Sequence, residues 1–121
     1  MKIYAFGKAG GKSITPFDSK GASISRIIKH DKPTHIGCIH LEPGGNVGRH
    51  EATTNQLFVV LNGQGWVTGK EGISYQIKAG QAAYWEAGEA HESGTEHGMT
   101  AVVIESEQVE PLMTEIPWLN D

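Results

Sequence analysis

The chain has 121 residues, of which 38% are hydrophobic and 20% charged, and a formal net charge of −4. That composition fits one soluble globular domain with a core of its own. The mildly acidic balance gives no electrostatic reason to expect nucleic acid or an anionic membrane surface as partner.

Sixteen glycines lie in singles and pairs between short apolar runs. Without a repeat they argue against collagen and against a low-complexity linker, and they point to many tight turns and an all-β chain. Cys38 is the single cysteine, so no intrachain disulfide can form. No apolar run approaches the ~20 residues that span a bilayer, and no signal-peptide pattern opens the chain. The expectation is a cytoplasmic protein.

In chain order, IYAF at 3–6 reads as a short strand. GKAGGKS follows and imitates a phosphate-binding loop, but Phe6 stands where the first glycine of that motif belongs. It reads as a surface loop. Lys20, Arg26, Lys29 and Lys32 read as a solvated face. ASISRIIKH at 22–30 has high β-propensity and ends before Pro33.

HIGCIHL at 35–41 alternates, with Ile36, Cys38 and His40 on one side and His35, Gly37, Ile39 and Leu41 on the other. EPGGNVG reads as a long turn and NQLFVVL at 55–61 as an apolar strand closed by a hairpin at NGQG. GWVTG, ISYQI, AAYW and TAVVIE then read as strands. The total is eight to ten strands without a helix, which implies a sandwich or barrel. The barrel core is expected over about 22–107, with an N-terminal arm at 1–21 and a C-terminal tail at 108–121. From Leu112 to Leu119 the tail is apolar enough to pack on something.

Two segments carry the chemistry. In PGGNVGRHEATTNQLFVVLNGQG, Gly44 and Gly45 precede His50, and Gly63 closes the segment. In AGQAAYWEAGEAHESGT, Gly80, Gly88 and His91 fall at fixed intervals. Together they resemble the two motifs of the cupin family over roughly 35–105. The resemblance implies an all-β double-stranded β-helix, or jelly-roll barrel, holding a metal on three histidines and a glutamate. The chain departs from the motifs at Ala52, in place of the second histidine, and at Gln56, in place of the glutamate. It departs again at Glu86, in place of a proline, and at Thr95, in place of an asparagine.

Under the family's register His50, Gln56 and His91 project into the barrel. Two imidazoles and an amide oxygen suit a divalent transition metal (Fe, Mn, Ni or Zn), though more weakly than the complete set, because an amide brings no negative charge. Open coordination positions would serve metal-assisted chemistry on a small organic substrate. A metal-free module that binds or senses a small ligand is the alternative. Phe58, Val60, Tyr84 and His40 are expected to line the pocket. The resemblance further implies a symmetric homodimer, with the tail from Leu112 to Leu119 as the surface to cover a partner barrel.

Overall fold

The computed structural model describes residues 1–118. Eleven strands occur in this span: β1 (Lys2–Ala5), β2 (Lys12–Ser13), β3 (Ser23–Ile24), β4 (His35–Leu41), β5 (Asn46–Glu51), β6 (Asn55–Thr68), β7 (Ser74–Lys78), β8 (Gln81–Trp85), β9 (Ala90–Gly94), β10 (Met99–Ser106) and β11 (Thr114–Ile116). The only helical pieces among the described residues are two three-residue 3-10 turns, one of them in the GKAGGKS loop. No helix of the described residues is long and apolar enough to cross a membrane.

While β2 and β3 pair only with each other, the other nine strands form two antiparallel layers. One runs β11-β1-β8-β6-β10-β4, and the other contains β5, β9, the second half of β6, and β7. This is the expected jelly roll. The inner faces of the two layers meet in a core that includes Ile3, Phe58, Val60, Val67, Ile77, Trp85 and Val103. Each such side chain contributes roughly 1.5–3 kcal/mol by leaving water.

The first layer is also covered on its outer face. Leu57, Val59 and Ala82 pack there with Tyr4, Ile104, Val109 and Met113. A strand buried on both faces loses the apolar–polar alternation that would tell inside from outside.

Several expected boundaries move. Residues 22–30 do not form one strand, since pairing stops at Ile24. Ile27 and Ile28 instead pack on the outer cluster, and the Ile27 carbonyl accepts the Leu112 N–H. The turn after β4 is shorter than expected, because β5 already begins at Asn46. NGQG is not a hairpin. The register of β6 against β10 shifts between Val60 and Asn62, leaving Leu61 as the extra residue of a bulge. Gly63 follows at φ 80°, and a Cβ there would collide with the Gly98 carbonyl. The bulge lets one strand leave the first layer and continue in the second.

The terminal segments belong to the wall. β1 sits between β11 and β8, so the start of the arm and the β11 part of the tail belong to the main sheet, while β2 in the rest of the arm pairs only with β3. The tail packs on its own barrel: Met113 is buried, Ile116 packs on the core, and the Trp118 ring meets Tyr75 edge-on with centroids 5.6 Å apart. Leu112 stays exposed, and Leu119 lies outside the described residues.

Candidate functional site

The two motif histidines meet. His50 on β5 and His91 on β9 are cross-strand partners, with ring centroids 4.4 Å apart and planes tilted by 56°. Each ring is held by its own backbone. His50 Nδ1 lies 2.7 Å from the Gly48 carbonyl, and His91 Nδ1 lies 3.0 Å from the Glu89 carbonyl. A carbonyl only accepts, so each Nδ1 carries a proton, and in the neutral imidazole this leaves the lone pair on Nε2.

His91 is 3% exposed and stacks on Trp85, with centroids 4.2 Å apart. Trp85 in turn contacts Phe58 at 5.8 Å and donates its indole N–H to the Thr68 carbonyl at 3.1 Å. These aromatic rings fill the barrel interior beside the histidines, so it is packed where the family likeness implies a hollow. Burial pushes the His91 pKa below the usual imidazole value, and the nearby His50 and Arg49 push the same way; the Glu89 carbonyl and carboxylate oppose them without reversing the shift.

The unfolded chain therefore takes up a proton at this residue before the folded one does. His91 contributes stability that is fully present above the unfolded value of about 6.5 and is lost as pH falls through the lower folded value. Urea midpoints should fall as pH is lowered from 7 through 6, and less steeply in His91→Gln. An equal fall in that variant would assign the effect to another group.

Space opens at the barrel mouth, between the edges of β4 and β5. A pocket of about 320 Å³ there is lined by His50, Ala52, Gln56, Ile39, Val103 and Glu105, among others. Gln56 faces inward as expected. Phe58 and Val60 also face inward, but they are fully buried in the core and do not line the pocket.

His40 and Tyr84 are corrected outright. His40 is exposed, on the side of β4 opposite the inward-packed Ile39 and Leu41. Tyr84 belongs to the outer cluster and lines a separate pocket of about 490 Å³ with Met1, Lys70 and Glu89. That pocket holds no imidazole. The inward residues of β8 are Ala83 and Trp85.

Glu105 was missed by sequence reasoning. It follows Ala101 and Val103 on the inward face of β10, and its cross-strand neighbours are Gln56 on β6 and His35 on β4. The available signal was its parity: it lies two residues beyond Val103, as Gln56 lies two before Phe58.

The positions that depart from the motifs acquire specific roles. Ala52 is buried against the pocket, with its N–H donated to the Glu89 carbonyl and its own carbonyl accepting from Gly88. Thr95 donates its hydroxyl to the Gln64 carbonyl at 2.7 Å and accepts the Gly98 N–H at 3.0 Å, tying β6 to the turn before β10. Glu86 sits in a turn closed by Glu89, whose carboxylate accepts the N–H groups of Glu86 and Lys70 and pairs with the Met1 ammonium at 2.7 Å.

For a metal the donor set is incomplete. Two neutral imidazoles and one amide leave a dication's charge uncompensated. Among the described residues, no group of three or more His, Cys, Asp or Glu side chains comes together to hold an ion. The expected trio of His50, Gln56 and His91 therefore does not make a closed metal centre.

Two antiparallel layers sharing one bent strand define the double-stranded β-helix class of barrels. The cupin domain model matches residues 37–106, more than half of the chain, and the chain belongs to the cupin family. An uncharacterized conserved protein with a double-stranded β-helix domain from Klebsiella pneumoniae is 20% identical, with a TM-score of 0.56, over 81% of this chain and 89% of that one. An RmlC-like cupin from Shewanella frigidimarina is 16% identical, with a TM-score of 0.59, over 69% and 74%. A predicted oxalate decarboxylase from Thermotoga maritima is 23% identical, with a TM-score of 0.54, over 59% and 64%. At these identities the likeness shows the fold. No curated protein matches the sequence.

Proposed function

We propose that this cupin binds a small organic molecule at the barrel mouth, with His50 and His91 as neutral hydrogen-bond acceptors and Gln56 as a donor and acceptor beside them. The observation that carries this reading is the anchoring of both Nδ1–H groups on backbone carbonyls, beside a pocket that His50 and Gln56 line. The tautomer fixed in this way presents acceptors, and a ligand with hydroxyl or amine hydrogens complements them.

A second reading is favoured by the same anchoring. Metal-ligating histidines are commonly oriented by a carbonyl on their other nitrogen. A divalent ion would then use the two Nε2 atoms and take its remaining donors from a chelating ligand.

Thermal shift separates the two. With EDTA present, a small-molecule library should yield ligands that raise the melting temperature of the parent by a few degrees and lose that effect in His50→Ala. Stabilisation that appears only when Zn²⁺ or Mn²⁺ is supplied would select the second reading. Ligands that stabilise His50→Ala as well as the parent would refute both.

A further inference from the structure

We propose that the ligand of the mouth pocket is a small organic cation, and that Glu105 is its counter-ion. The inference rests on the mouth being the binding site, as proposed above, and adds the charge of what binds there.

Three observations carry it. Glu105 is half-buried on the inward face and lines the pocket with His50 and Gln56. The pocket lining includes a second carboxylate, the exposed Glu51 at the rim, and contains no lysine or arginine. The ion pairs among the described residues are Met1–Glu89, Arg49–Glu92 and His97–Glu96, and none of them involves Glu105.

The carboxylates of Glu51 and Glu105 give the pocket lining two negative charges, and no lysine or arginine opposes them. A concave site of one sign concentrates counter-ions, and a partly desolvated carboxylate gains most from a charged donor. The His50 ring and the Gln56 amide oxygen line the same pocket and add acceptors. An ammonium group offers three N–H donors, one each for Glu105, His50 and Gln56, while a carboxylate is repelled and a neutral alcohol falls between.

The test uses three probes of matched shape, benzylammonium, benzyl alcohol and benzoate, titrated by NMR at pH 7.5 with EDTA present. Benzylammonium should bind roughly tenfold more tightly than benzyl alcohol, and benzoate more weakly than either. Glu105→Gln should remove the preference for the ammonium while leaving alcohol binding in place. Binding without charge preference, or a preference that survives in Glu105→Gln, would overturn the counter-ion role while leaving the pocket reading intact. Failure of all three probes to perturb His50 would overturn the pocket reading, and the inference with it.

Discussion

The double variant Ala52→His/Gln56→Glu should bind Zn²⁺ or Mn²⁺ at least about a hundredfold more tightly than the parent, a gain of ~2.8 kcal/mol. Both positions line the pocket that His50 lines, and Ala52 is fixed by backbone hydrogen bonds to Gly88 and Glu89. The substitutions add an imidazole and a negative charge to two imidazoles already oriented by carbonyls. A structural ion prefers four such protein ligands, and the carboxylate removes the charge imbalance that weakens the parent site. Space for the larger ring comes from the adjoining pocket of about 320 Å³. The single variants should each gain less, and their effects should not add, because the two ligands share one ion. Isothermal titration measures the result. A folded double variant with no more affinity than the parent would mean that positions 52 and 56 do not converge on the histidines.

Trp85→Ala should be the most destabilising substitution in the barrel, costing about 3–5 kcal/mol. Against a total stability of roughly 5–15 kcal/mol this is a large fraction, and the melting temperature should drop by on the order of 10–20 °C. Trp85 is 1% exposed, stacks on His91, contacts Phe58 and satisfies the Thr68 carbonyl. Its removal leaves a cavity, a buried carbonyl without its donor and a histidine without its lid. The His91 pKa should therefore rise toward the ordinary imidazole value, since burial is the main cause of its depression. Urea unfolding and an NMR titration of His91 measure the two effects. A loss below about 1 kcal/mol would contradict the packing described. Trp85→Phe keeps a ring and should show a smaller loss.

The convergence of His50 and His91 was legible through the likeness to the cupin motifs, whose register the glycines at the turns preserve. Parity put Gln56 on one face with Phe58 and Val60, and the family's register made that face the inner one. Parity failed for Tyr84 and His40 because it states which residues share a face and not which face is inside. On β8 both faces are apolar, since the outer one is roofed by Tyr4 and Met113. On β4, Ile36 is 69% exposed while Ile39 packs on the core, so hydrophobicity did not mark the inner side. Glu105 was invisible for the converse reason: a carboxylate near a strand end reads as solvated until its neighbours are known. The bulge at Leu61 was misread because Asn-Gly is a hairpin signature, and the strand's further pairing depends on partners far along the chain.

The long β6 strand has a thermodynamic consequence. Its first half pairs with β8 and β10, and its second half pairs with β7 and β9. Neither layer can peel away without breaking hydrogen bonds along a segment the other also needs. Slowly exchanging amides on both halves of this strand should consequently report a single opening free energy, that of global unfolding.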